Sequence, residues 1–288
     1  MPTKTFEFTT EEVEYLRHGN APLVLRLFKP NGEGPFPTVI DLHGGAWAHG
    51  DLNECRARDE VLAKAGLLVA ALNFRHAGDG YPASMVDINY AIRWLKAHAA
   101  QLKTRADLVA ISGQSSGGHL AMLAAMRPND PRYTVVPLPA GSPFVEATVR
   151  CVAMSWPVIN PLSRYRHARR SRDSANPPAW VGDLPERQDL YWKTEANMAE
   201  GNPMLALERG EKVLTPPALW VQGRPDPVHD YHDPESDFQG NEPERFATNY
   251  RQAGGAMEVL YIDQAVRSTA ASFDPVAAFF HKQMPAGR

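Results

Sequence analysis

Leu108-Val-Ala-Ile-Ser-Gly-Gln-Ser-Ser-Gly-Gly-His-Leu-Ala-Met-Leu-Ala-Ala-Met126 is the stretch that decides how this chain folds. Leu108 to Ile111 is a short apolar run of strand length, and His119 to Ala125 is alanine-rich and apolar, as a packed helix requires. Between them, Gly113-Gln-Ser-Ser-Gly117 reads as a sharp turn from strand into helix. Such a turn forces its central residue into a strained backbone conformation, and glycines two places to either side avoid steric conflict with neighbouring elements. Ser115 is therefore expected to stand out at the edge of the sheet. The helix that starts beside it directs free N–H groups and a partial positive charge towards developing negative charge.

Working outward, strand-like and helix-like segments alternate. Val13 to Phe28, broken at His18-Gly-Asn-Ala-Pro22, predicts a leading hairpin. Thr38 to Leu42 and Leu67 to Asn73 are apolar runs that suit buried parallel strands, with helix-favouring Asn53 to Ala65 between them. Met85, Ile88, Ile92 and Leu95 then recur on one helical face behind Pro82. Strands follow at 149–156, 217–222 and 257–262, with helices at 244–253 and 274–283. This alternation predicts one α/β domain over 1–288, with right-handed crossovers onto a mostly parallel sheet covered by helices on both faces. The interval at about 161–210, rich in Arg, Trp and Pro, is expected to be an inserted, partly helical cap over the carboxyl ends of the strands.

Composition narrows the function. With 43% hydrophobic and 22% charged residues among 288, the chain can bury a substantial core. A formal net charge of −3 offers no broad attraction for nucleic acid or anionic lipid, and no apolar run reaches membrane-spanning length. Cys55 and Cys151 are too few for a stapled scaffold or a zinc site, so two buried free thiols are expected. The first ten residues have neither a signal-peptide core nor a transit-peptide character, and the chain reads as cytoplasmic. A small-molecule substrate is the expected partner, without metal or cofactor; a homodimer stays open.

Two further motifs join Ser115. His43-Gly-Gly-Ala-Trp47 directly follows a strand, and together with Asn73-Phe-Arg75, Tyr81-Pro82 and the helix bearing Asp87 and Trp94 it resembles esterase families related to hormone-sensitive lipase and to the kynurenine formamidases. The likeness runs from about residue 22 to 160 and resumes near 216. It implies an α/β-hydrolase fold, an oxyanion hole made by the backbone N–H groups of Gly45, Ala46 and Ser116, and a substrate crevice near His43 and Trp47. Val221-Gln-Gly-Arg-Pro-Asp226 resembles the acid-bearing loop of those families, which makes Asp226 the carboxylate that orients an imidazole. In the cap, Arg169 and Arg170 are candidates to meet a carboxylated or aromatic substrate.

The sequence departs from the resemblance at the base. The families carry a histidine in the loop after the last strand; here that loop reads Ile262-Asp-Gln-Ala-Val-Arg-Ser-Thr-Ala270, with Val266 at the expected position. Valine accepts no proton and arginine stays charged, so Ser115 would lack its activator. Three accounts stay open. His229 or His232 folds back as a relocated base, the chain is a hydrolase impaired by loss of the histidine, or the scaffold is a binding protein, like the plant gibberellin receptors that also lack it. If active, the expected reaction is acyl transfer from a small carboxylic ester to water, with an aryl formamide as the rival substrate.

Overall fold

The computed structural model describes residues 5–285. Eight strands form one sheet: β1 (Phe8–His18), β2 (Ala21–Pro30), β3 (Phe36–Leu42), β4 (Leu68–Leu72), β5 (Thr104–Gln114), β6 (Val152–Ser155), β7 (Ala218–Arg224) and β8 (Met257–Asp263). Their spatial order is β1-β2-β4-β3-β5-β6-β7-β8, antiparallel where β2 meets β1 and β4 and parallel from β4 through β8. This is the mostly parallel, helix-covered sheet of the α/β-hydrolase fold.

Successive side chains on a strand face opposite ways, so a strand buried on both faces is a near-continuous apolar run. Ile40, Ala70 and Ile111 enter one core with α2 (Ala83–Ala97), α3 (Ser116–Met126) and α8 (Glu242–Gln252). Their neighbours Val39, Val69 and Ala110 enter the other core, with α1 (Arg56–Lys64) and α9 (Ala270–Gln283). Cys55 and Cys151 are free and buried. No helix among the described residues is long and apolar enough to cross a membrane.

Between β6 and β7 lie four helices, α4 (Pro161–Arg172), α5 (Leu184–Trp192), α6 (Glu195–Glu200) and α7 (Pro203–Glu208). They pack on the carboxyl ends of the strands: Trp192 stands edge-on to Trp47 after β3, and the Tyr191 carbonyl accepts from Tyr81 N–H after β4. Several boundaries differ from the sequence reading; β1 starts at Phe8 and β5 at Thr104, both earlier than expected. The hairpin turn is only Gly19-Asn20, and β6 shrinks to four residues. Helix α9 starts at Ala270 rather than Asp274, because Thr269 O already accepts from Ser272 and Phe273 N–H, and Pro275 costs only one donor in the next turn.

Candidate active site

Strand β5 lies near the middle of the sheet, and its end carries Ser115 to the carboxyl edge. Ser115 has φ +51° and ψ −120°, a conformation that side chains rarely adopt, and it is held there from both sides. Its N–H donates to Ser155 O at 3.0 Å and its carbonyl accepts from Val158 N–H at 3.0 Å. The flanking glycines are required by close approach: a Cβ on Gly113 would overlap the Gly117 carbonyl, and one on Gly117 would overlap the carbonyl oxygens of Leu42 and His43. The start of α3 is thus pressed against the end of β3.

That contact brings the loop after β3 to the serine. A Cβ on Gly44 would sit 3.3 Å from the Ser115 Cβ. Gly45, Ala46 and Trp47 follow with φ of +104°, +52° and +60°. The bend is closed by Ala48 N–H and His49 N–H on the Gly45 carbonyl. Among the described residues, no acceptor takes the N–H groups of Gly45 or Ala46, and Ser116 N–H heads α3 ahead of its first intrahelical bond.

The loop that carries Asp226 also brings a histidine to the serine. Asp226-Pro-Val-His229 is a tight turn in which the Asp226 carbonyl accepts from His229 N–H at 3.3 Å and Asp230 N–H at 2.8 Å. Asp226 Oδ1 accepts from Val228 N–H at 3.1 Å, and Oδ2 from His229 Nδ1 at 2.8 Å and Gln222 Nε2 at 3.3 Å. His229 Nε2 lies 3.1 Å from Ser115 Oγ. A carboxylate can only accept, so Nδ1 carries the proton and the Nε2 lone pair faces the serine hydroxyl. His229 lines a small cavity of about 10 Å³ together with Arg164, Tyr231 and Glu242.

Electrostatics suit these roles. Burial pushes the Asp226 carboxyl up, but the His229 hydrogen bond, the His229 and Arg267 charges and the Val228 N–H outweigh it, holding the group below its usual range. Burial pushes the His229 imidazole down, and Arg267 and Arg164 add to this while Asp226 opposes them. The acid is ionised and the base neutral near pH 7.

Other expected site residues fall elsewhere. Val266 ends a one-turn 3-10 segment (Gln264–Val266) after β8; the side chain that reaches the acid from this loop is Arg267. His232 is exposed, with Nδ1 3.1 Å from Gly240 O, and has no bond to Ser115 among the described residues. His43 and Trp47, the expected substrate contacts, are instead buried at the two ends of the loop, 3% and 1% exposed. The His43 ring stacks on Phe74 at 4.4 Å, its Nδ1 is 2.9 Å from Gly44 O, and burial pushes it down to about 4. Trp47 Nε1 donates to His119 Nδ1 at 3.2 Å, and His119 Nε2 donates to Gly201 O at 2.7 Å, tying the loop to α3 and the cap. Arg169 and Arg170 also stand corrected: both are exposed on the outer side of α4, bonded to Tyr165 and Glu235 respectively. The cap's inward arginine is Arg164, with Nε on Gln188. A hollow of about 1200 Å³ lies at the amino ends of the strands, walled by Phe6, Phe36, Ala65 and Ala277; Ser115, His229 and Asp226 have no part in it.

A model of the BD-FAE family matches residues 25–233, most of the chain. The chain belongs to the BD-FAE family. The match runs from β2 to the loop that holds Asp226 and His229. Among curated relatives, the chain is 37% identical over 102 residues to the probable carboxylic ester hydrolase LipM of Mycobacterium tuberculosis, covering 35% of this chain and 24% of LipM. It is 23% identical over 263 residues to the gibberellin receptor GID1C of Arabidopsis thaliana, covering 86% of this chain and 67% of the receptor. The match thus spans about a quarter of LipM. Among solved structures, the thermophilic carboxylesterase EstE1 from a metagenomic library superposes with a TM-score of 0.72 at 19% identity, over 97% of this chain and 90% of EstE1. This BD-FAE member therefore shares its fold with a carboxylesterase, while its relatives include a probable hydrolase and a receptor.

Proposed function

We propose that this protein is a serine hydrolase that transfers the acyl group of a small carboxylic ester to water. The observation that carries the reading is the chain of contacts from Ser115 Oγ to His229 Nε2 at 3.1 Å and from His229 Nδ1 to Asp226 Oδ2 at 2.8 Å. A serine hydroxyl is a weak nucleophile unless an adjacent base removes its proton as it attacks. His229 supplies that base, and Asp226 holds the imidazole in the right tautomer and stabilises the imidazolium that forms.

Ser115 Oγ attacks the ester carbonyl while its proton passes to His229. The oxyanion gathers on the N–H groups of Gly45, Ala46 and Ser116, donors already fixed before reaction. His229 then protonates the departing alcohol, leaving Ser115 acylated. Water enters, His229 takes its proton, and the acid departs as Ser115 recovers its own. No cofactor is needed for this sequence. The position of His229, within hydrogen-bond reach of Ser115, supports this reading over an impaired hydrolase or a binding protein.

The test is labelling by a fluorophosphonate probe together with p-nitrophenyl acetate turnover. The native chain is expected to be labelled and active, and Ser115→Ala neither. Absence of labelling in the native chain, or turnover that survives Ser115→Ala, contradicts the reading.

A further inference from the structure

Arg267 stands one residue beyond the 3-10 turn after β8, and its guanidinium lies 4.3 Å from the centre of the Trp156 ring. Its Nη1 is 3.6 Å from Asp226 Oδ2, the same oxygen that receives His229 Nδ1. Trp156 follows β6, where its N–H donates to the β7 carbonyl of Val221 at 2.7 Å. The arginine therefore spans the ends of β6, β7 and β8. It forms no other ion pair among the described residues, and its side chain is 31% exposed. A cation stacked on an aromatic face is fixed in direction, and a fixed cation beside a carboxylate holds that carboxylate in turn.

We propose that Arg267 is a positioning residue for the reaction at Ser115: clamped between Trp156 and Asp226, it fixes the carboxylate that orients His229. The inference rests on the serine-hydrolase reading above. Burial opposes charge on His229 most, Asp226 on its own loop favours it, and Arg267 from the loop after β8 and Arg164 from α4 oppose it further. Tyr231 and Glu242 line the same small cavity as His229, and burial pushes the Glu242 carboxyl up to about 7. Removing Arg267 takes away one of two cations that resist protonation of the imidazole. More proton must then be withdrawn from solution before the base is free, so the acid limb of the rate profile moves to higher pH.

The experiment measures kcat/KM for p-nitrophenyl acetate from about pH 4.5 to about pH 9, spanning the imidazole range. The full chain is compared with Arg267→Gln, Arg267→Met, Arg267→Lys and His229→Ala. Arg267→Met keeps an apolar stem on Trp156, and serves should Arg267→Gln fail to fold. The neutral variants are expected to shift the acid limb upward by about half to one pH unit and to lower the plateau several-fold, whereas Arg267→Lys keeps the limb in place. The same shift is expected in a Glu242→Gln background, where that carboxyl no longer titrates. Neutral variants whose limb overlays the native one, with His229→Ala inactive, overturn the role of Arg267 and leave the serine mechanism standing. Turnover that survives in His229→Ala overturns the mechanism itself.

Discussion

Asp226 and His229 are three residues apart in one turn, so the acid and the base are placed by the same few backbone hydrogen bonds. The turn also fixes the pH response. Burial, Arg267 and Arg164 lower the affinity of His229 for a proton more than Asp226 raises it, and the Asp226 carboxyl is held below its usual range. Turnover should accordingly rise with pH along one limb, with its midpoint below about 6.5, as the imidazole becomes neutral while the acid is already ionised. A pH profile of kcat/KM checks this, and a midpoint above that value contradicts it. Ser115 was legible in the sequence because the motif that marks it is local: strand, glycines and helix lie within a dozen residues, although the bonds to Ser155 and Val158 that also hold it do not. His229 was legible only as one of two candidates, since its contact with Ser115 joins loops 114 residues apart. The Asp-x-x-His spacing was the usable signal, because a turn places its first and fourth side chains near one another. Arg267 was read merely as a residue unable to act as a base, and its stacking on Trp156 has no trace in local sequence.

The elements explain why the elbow tolerates so little change. Gly117 opens α3 where the helix touches the end of β3, so Gly117→Ala must displace the carbonyls of Leu42 and His43 together with the loop bearing Gly45 and Ala46. A loss of about 1–3 kcal/mol in unfolding free energy is expected, with a larger loss of turnover than of substrate affinity. Urea unfolding and steady-state kinetics check both; unchanged stability and kcat contradict the packing described. Strand and helix order was readable from alternating apolar runs, because parallel strands buried on both faces have few polar positions. The inward and outward faces of α4 were not. Its arginines look alike in sequence, and only packing separates Arg164, turned towards Gln188 and Trp47, from Arg169 and Arg170 on the outside.

At the scale of the molecule, the cap and the sheet share one core. Tyr191, Trp192 and Met204 are fully buried in the same cluster as α2 and α3, and His119 links Trp47 to Gly201. The chain should therefore unfold in a single transition, with loss of activity, near-ultraviolet dichroism and far-ultraviolet dichroism coinciding in urea; a separate early transition in the cap contradicts this. The sheet places four loops at one edge, after β3, β5, β7 and β8, and the site draws its donors, nucleophile, acid with base, and Arg267 from them in that order. His229 is proposed as the base. Turnover of p-nitrophenyl acetate by His229→Ala and His232→Ala checks this: His229→Ala is expected to fall by at least about a thousandfold and His232→Ala to match the native chain. Native turnover in His229→Ala, or its loss in His232→Ala, would contradict it.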